Sequence, residues 1–313
     1  MKRISARDLM RTTFKDKTLI VLTGPTAVGK TDLSVDIAHE LNTEILSADA
    51  RQFYRELKIG TAAPEDFHLQ KIKHHFVGHL SIFDYYNVSL FEQQALKVLE
   101  TVFQKTDYAV LTGGSGLYID TLCHGIDQLP DAEPEVRQRI KQVHAKEGID
   151  GLRQWIKKID PAYYRQVDLA NPNRIKRGIE VFLSTGTPFS ELRKKQYKER
   201  PFQIKRVIIN REREELFSRI NRRVDLMVEQ GLIEEAIGLF RYRHLNALNT
   251  VGYKELFSWI SNCWYLKTAL EKIKTNSRRY AKRQLTWFKR YEDARWFHPD
   301  DKKEIMDYIR KKP

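Results

Sequence analysis

"TLIVLTGPTAVGKTDLSVDIAHEL", residues 18–41, decides the fold. Residues 18–23 are a short apolar run that reads as a buried parallel strand. Leu33, Ile37 and Leu41 then recur at helical spacing. Between the two, Gly24, Gly29, Lys30 and Thr31 satisfy the pattern G-x-x-x-x-G-K-[ST], in the strand-to-helix setting its mechanism needs. Glycines let backbone N–H groups approach phosphate oxygens, and the following helix N-terminus favours negative charge. In such a loop Lys30 contacts the outer phosphate and Thr31 ligates Mg²⁺ through its hydroxyl. What remains open is which phosphorylated ligand the loop holds.

Outward from this loop the same theme repeats. "TEILSADARQFY" contains a second short strand ending near Asp49, and residues 84–106 carry a long amphipathic helix. "DYAVLTGGSGLYIDTL", residues 107–122, is again strand, glycine turn and helix. Strands alternating with helices imply a parallel, doubly wound sheet. From about 131 to 200 only helical patterns occur. Pro134 opens a helix that Gly148 can close, and Asn171 caps another that Pro172 starts. A strand returns at 202–210, followed by helices. The expected fold class is α/β: a P-loop parallel-sheet core with an inserted all-helical subdomain and C-terminal helices. Residues 1–126 would form the first part of the core, 127–200 the insertion, and 201–313 the completion of the core with basic C-terminal helices.

The chain has 313 residues, 41% of them apolar, and a formal charge of +14. That composition is globular, and the excess of Lys and Arg attracts polyanions, of which nucleic acid is the commonest. Solvated lysine faces on a basic enzyme are the plainer reading. No stretch approaches membrane-spanning length, the N-terminus has no apolar signal core, and Cys123 and Cys263 form no framework. A cytoplasmic protein with no membrane partner is expected.

Several residues then narrow the chemistry. An NTPase usually holds its metal with an acid at the end of a second apolar strand. Here "YAVLT" runs into Thr112-Gly113-Gly114, with no carboxylate. That weakens an ATPase reading and leaves a small-molecule kinase open. Asp49 stands just past a strand, where it can be a general base or simply form a turn. His74 and His75 are adjacent, so on a strand they point to opposite faces and suit a structural role better than a metal. Arg174 and Arg177 share a helix face. "SRRYAKRQLTWFKR", residues 277–290, interleaves six basic residues with Tyr280, Trp287 and Phe288. Such a run suits phosphate contact and base stacking, or a solvated helix packed by its aromatics. A nucleic-acid-modifying transferase, a P-loop kinase or NTPase, and a nucleic-acid-binding module with a regulatory loop all fit these features.

"GPTAVGKT", "SADARQFY", "IGTAAP", "YNVSLF", "GGSGLY", "DAEPEVRQRI", "NPNRIKRGIEV", "RINRRVDLM", "VGYKEL" and "RRYAKRQLTWF", in this order, resemble the tRNA dimethylallyltransferase family, also called tRNA isopentenyltransferases. The resemblance spans about residues 18–290. It implies transfer of a dimethylallyl group from dimethylallyl diphosphate to N6 of the adenosine 3′-adjacent to the tRNA anticodon, with Mg²⁺ as cofactor. It implies that Gly24, Pro25, Thr26, Ala27, Val28, Gly29, Lys30 and Thr31 hold the diphosphate, that Thr31 binds the metal, and that Asp49 is the general base. Arg223, the second arginine of an R-I-x-x-R pattern, becomes a further diphosphate ligand. Contacts to the tRNA anticodon stem-loop fall on Asp49, Ala50, Arg51, Gln52, Ser115 and Arg137. They continue on Asn173, Arg174, Ile175, Lys176 and Arg177 of the helical insertion. A monomer is expected. Relatives that prenylate free adenine nucleotides share much of the core pattern and stay open as an alternative. The chain departs from the family pattern at Ala50, usually Ser, at Ser115, usually Thr, at Ala63, often Lys, and across the divergent segment 74–86.

Overall fold

The computed structural model describes residues 14–194 and 197–311. These form two compact units: one lies within Met1–His124 and Glu199–Pro313, the other within Gly125–Lys198.

The first unit is built on six parallel strands in the order β3-β2-β4-β1-β5-β6. They are β1 (Thr18–Thr23), β2 (Ile45–Ser47), β3 (His74–His75), β4 (Tyr108–Gly113), β5 (Gln203–Ile209) and β6 (Arg295–Phe297). β1 lies between β4 and β5, and all six of its residues are buried. Its side chains alternate between two apolar layers. Leu19 and Val21 join Leu46, Leu111 and Phe91 on one face. Ile20 and Leu22 join Ile37, Val110 and Val207 on the other. A central strand covered on both faces reads as a continuous apolar run, which is why "TLIVLT" is legible as one. β6 shows the opposite: its Arg295 and Trp296 are exposed, no apolar run marks it, and the sequence patterns pass over it.

Helices connect the strands: α1 (Lys30–Glu40), α2 (Asp66–Lys71), α3 (Val88–Phe103) and α4 (Gly116–His124). In the second unit are α5 (Pro134–Ile159), α6 (Pro161–Tyr164), α7 (Pro172–Thr185) and α8 (Phe189–Leu192). After β5 the first unit resumes with α9 (Arg213–Glu229), α10 (Leu232–Leu239), α11 (Tyr253–Ile260), α12 (Leu266–Phe288) and α13 (Lys302–Arg310). α3 starts where the Asn87 side chain accepts the Leu90 amide at 2.9 Å.

Sheet register sets the site. Thr23 pairs with Gly113, and Ser47 with Thr112, so the loops leaving β1, β2 and β4 emerge side by side at the carboxyl edge. Open α/β sheets place ligands at that edge. The loops approach closely enough to need glycine. A Cβ on Gly24 would collide with the Ile209 carbonyl, and one on Gly113 with the Ala48 backbone.

The second unit is all helical, with Ile140, Leu152, Ile156, Ile175 and Ile179 in its core. Gly148, expected to close a helix, sits at φ 65° inside α5 and breaks it, and the chain resumes a helix at once. Asn171 caps α7, its side chain accepting the amides of Asn173 and Arg174. The buried Asp160 carboxylate accepts the Tyr163 amide at 2.9 Å, the Ser190 amide at 2.8 Å and the Ser190 hydroxyl at 2.7 Å. Three donors on one buried carboxylate satisfy it and tie α6 to α8.

Candidate active site

The loop from Gly24 to Gly29 enters α1 at Lys30, and both its walls are held by side chains from distant sequence. Arg211 Nε donates to the Val28 carbonyl at 3.1 Å, Arg219 Nε to that of Ala27 at 2.9 Å, and Arg223 to the Thr26 hydroxyl at 3.2 Å. On the other side Gln284 of α12 accepts the Thr26 amide at 2.9 Å and donates to the Gly114 carbonyl at 3.0 Å. One buried amide side chain thereby joins the phosphate loop to the glycine turn after β4. Gly24 and Pro25 are buried, and the Val28 side chain lies in the core, so these residues shape the loop through backbone while Thr26, Ala27, Gly29, Lys30 and Thr31 face a cavity of about 1200 Å³.

Asp49, Gln52, Thr112, Gly114, Arg223 and Tyr280 also line that cavity. Asp49 Oδ1 accepts the Arg51 amide at 3.0 Å, forming a local turn. Its other oxygen takes no hydrogen bond from the described residues. The turn and the base are therefore compatible: Oδ1 fixes the carboxylate while the residue lines the cavity. Ala50 donates its amide to Ser115 Oγ at 3.0 Å, which couples the β2 and β4 loops. Gln52 donates to the carbonyls of Thr61 and Ala62 at 3.3 and 3.0 Å. Arg51 turns away, donating to the carbonyls of Asn246 and Ala247 at 2.9 and 3.1 Å.

Lys30 Nζ donates to the carbonyls of Gly24 and Pro25 at 2.9 and 2.7 Å. Its pKa is pulled down to about 7, first by burial and then by the positive charge of Arg223, against the opposing pull of Asp49. Arg223 is itself lowered by burial. At pH 8 the Lys30 amine is thus largely neutral, and an anionic ligand beside it raises its pKa and draws a proton in. Inorganic diphosphate binding should therefore take up protons at pH 8, seen as a binding enthalpy that differs between buffers of different ionisation enthalpy. Affinity should weaken as pH rises through 7. Equal enthalpies in both buffers would contradict this account of Lys30.

The sequence patterns name Tyr280 only within an aromatic run, and they miss Gln284, Arg219 and Glu235. Gln284 was legible: Ala281, Gln284 and Phe288 share the buried face of α12, and a polar residue there must have partners. Glu235 accepts the amides of Lys58, Ile59 and Gly60 at 3.1, 2.9 and 2.9 Å and the Tyr253 hydroxyl at 2.6 Å. It thereby fixes the 58–64 loop, whose Thr61, Ala62 and Ala63 line the cavity. The aromatics of 277–290 are chiefly packing. Phe288 is fully buried, and Trp287 donates to Asp120 at 3.1 Å while lying against Gly116. Tyr280 alone of the three lines the cavity, where burial and the Asp49 charge raise its pKa and keep it a protonated donor. His75 pairs with Glu44 at 2.5 Å, and His74, which also lines the cavity, pairs with the Ile72 carbonyl at 2.8 Å.

In the helical unit, Asn173 and Arg174 are exposed and Lys176 is half-buried. Arg137 and Arg177 both approach Asp131, at 3.6 and 4.0 Å. Ile175, expected among the RNA contacts, is fully buried in the unit's core, so its side chain is closed to a ligand. The 3.6-residue period turns it inward between two outward neighbours.

The fold and this cavity define a class: α/β proteins with a glycine loop and a cavity at the carboxyl edge of a parallel sheet and no acid after the second core strand. A family model described as IPP transferase matches residues 52–291, and the chain belongs to that family. It is 50% identical over 293 residues to tRNA dimethylallyltransferase 1 of Bacteroides thetaiotaomicron, covering 94% of this chain and 95% of that one. The crystal structure of the tRNA isopentenylpyrophosphate transferase of Bacillus halodurans superposes with a TM-score of 0.70 at 32% identity, covering 94% and 96% of the two chains. A eukaryotic dimethylallyltransferase acting on tRNA gives a TM-score of 0.74 at 25% identity, over 90% of this chain and 74% of that one. No helix among the described residues is long and apolar enough to cross a membrane.

Proposed function

We propose that the chain transfers a dimethylallyl group from dimethylallyl diphosphate to N6 of the adenosine 3′-adjacent to a tRNA anticodon. The observation that carries this reading is the pairing of a phosphate loop with Asp49 on one cavity, where no acid follows β4. The bond that breaks joins the allyl carbon to a diphosphate oxygen, and the one that forms joins that carbon to N6. Negative charge grows on the departing diphosphate, where loop N–H groups, protonated Lys30 and Arg223 stabilise it. Adenine N6 is a weak nucleophile because its lone pair is delocalised into the ring. Asp49 takes its proton as the bond forms, and the Arg51 amide on Oδ1 keeps the carboxylate oriented for that role. Gln284, bonded to Thr26 and Gly114, and Tyr280, bonded to the Gly114 carbonyl, hold the cavity wall between the phosphate loop and the turn after β4.

Among the described residues no cluster of three His, Cys, Asp or Glu could hold a metal. The Thr31 hydroxyl on the cavity wall still fits Mg²⁺, which keeps several waters and takes one or two protein oxygens beside substrate phosphates. When bound there, the ion would neutralise the leaving diphosphate.

An adenosine within an RNA loop must leave its stack to reach such a cavity. We assign the grip on the anticodon stem-loop to the helical unit, through Arg137, Asn173, Arg174, Lys176 and Arg177, and to the core loops at Ala50, Gln52 and Ser115. Arg174→Gln with Arg177→Gln should weaken tRNA binding and reduce its salt slope by about 1 per lost phosphate contact. An unchanged slope would remove those contacts. The reaction itself is tested by incubating the protein with labelled dimethylallyl diphosphate, Mg²⁺ and unmodified tRNA. Label in the RNA is expected; ATP turnover without RNA labelling would refute the reading.

A further inference from the structure

Beyond the cavity lies an exposed aromatic and basic patch that no step above uses. Phe83 is 62% exposed and stands edge-on to Tyr242, with ring centroids 4.9 Å apart at 90°. Arg241 lies over the Tyr242 ring at 4.6 Å, and Arg243 over Phe240 at 4.5 Å. Both arginines are exposed, and their guanidinium planes are held on the surface by the rings beneath them. An exposed aromatic of this size has no reason in the core, and singly it would need no explanation. Here two rings and two arginines stand together.

The patch is continuous with the cavity. Arg51, two residues past Asp49, anchors the 246–249 turn that follows Arg243. On the other side Tyr54, which lines the cavity, bridges to Leu80 in the segment that carries Phe83. Arg55 on the cavity wall adds a third positive charge, donating to the Leu80 carbonyl at 3.3 Å. Two acids are close by and both are engaged: Asp84 accepts the Ser81 amide at 2.7 Å, and Glu56 accepts the Ser81 hydroxyl at 2.7 Å. The local balance is positive.

We infer that Phe83 and Tyr242, with Arg241 and Arg243, form a stacking platform for an unpaired base of the RNA substrate next to the nucleotide that enters the cavity. A flat ring beside a guanidinium plane suits a nucleobase, which has a π-face whatever its identity, and the arginines meet the phosphates flanking it. A target adenosine turned out of its loop leaves neighbours without a stacking partner, and the platform supplies one. This inference rests on the proposed RNA substrate. It assigns a binding role to part of the segment 74–86 in which the chain departs from its family's usual pattern.

The test uses the full chain and a synthetic RNA hairpin with an unpaired loop. In it, 2-aminopurine replaces, one at a time, the bases beside the target adenosine. Binding should quench the fluorescence of one of these positions. Phe83→Ala with Tyr242→Ala should abolish that quench and raise the RNA Kd about tenfold or more, within the range that loss of base stacking gives. KM for dimethylallyl diphosphate and kcat at saturating RNA should be unchanged, and Phe83→Trp should restore the quench. Because both side chains are exposed or half-buried, the melting temperature serves as the control on folding. Arg241→Gln with Arg243→Gln should lower the salt slope of binding. If the double aromatic variant transfers the prenyl group with unaltered RNA Kd and quench, the platform is refuted while the reaction stands, and the patch belongs to another partner such as a protein. If the wild-type chain modifies no RNA, the proposed function has failed instead.

Discussion

Asp49→Asn should lower kcat for prenyl transfer by about 10²–10⁴-fold while leaving the RNA Kd nearly unchanged. The choice of asparagine matters. Its side-chain oxygen can still accept the Arg51 amide that Asp49 Oδ1 accepts at 3.0 Å, so the turn after β2 persists. Only the capacity to take a proton is lost. Asp49→Ala removes both, so it should lose transfer to at least the same degree and also loosen the 49–52 loop that Gln52 ties to Thr61 and Ala62. Single-turnover rates with saturating RNA separate the two effects. If Asp49→Asn keeps more than about a tenth of the wild-type rate, well short of what general-base loss costs, Asp49 is a turn residue and the base lies elsewhere.

Lys30→Met should reduce kcat/KM for the diphosphate donor by about 10²–10³-fold, the loss seen when one donor to a developing anion is removed. The loop itself should survive. Arg211, Arg219, Arg223 and Gln284 hold residues 26–28 without help from Lys30, so the melting temperature should move little. Diphosphate binding should also lose its proton uptake at pH 8, because the group whose pKa is pulled down to about 7 is gone. Persistent uptake would assign the proton to another residue. An unaltered kcat/KM would place the donor's phosphates away from this loop.

What the sequence made legible follows from physical constraint. "TLIVLT" had to be apolar on both faces because β1 is the strand between β4 and β5 in the sheet. The phosphate loop had to carry glycine because the Ile209 carbonyl leaves no room for a Cβ at Gly24. The absent acid after β4 was visible as Thr112-Gly113-Gly114. The partners of residues that act across long sequence separation were not visible. Gln284 reaches Thr26 and Gly114 only because α12 folds back onto the sheet edge. Glu235 holds three amides of a loop 175 to 177 residues away. The aromatics of 277–290 fitted either a stacking surface or packing of a solvated helix, because the run holds aromatics on more than one face of α12. Packing turned Phe288 and Trp287 inward and left Tyr280 on the cavity. Ile175 was carried into the RNA-contact set by its neighbours in "NPNRIKRGIE", although helical periodicity already points it to the core.

In the proposed function the loop holds the leaving diphosphate of a prenyl donor, and the acceptor is one adenosine of a tRNA. The most direct measurement is mass spectrometry of nuclease digests of unmodified tRNA after incubation with the protein, dimethylallyl diphosphate and Mg²⁺. The expected product is N6-isopentenyladenosine at the single adenosine 3′-adjacent to the anticodon, with release of one diphosphate for each modified tRNA and no product from Asp49→Asn on the same timescale. Modification of free adenine nucleotides with no change in the tRNA, or release of phosphate from ATP as the sole reaction, would contradict it.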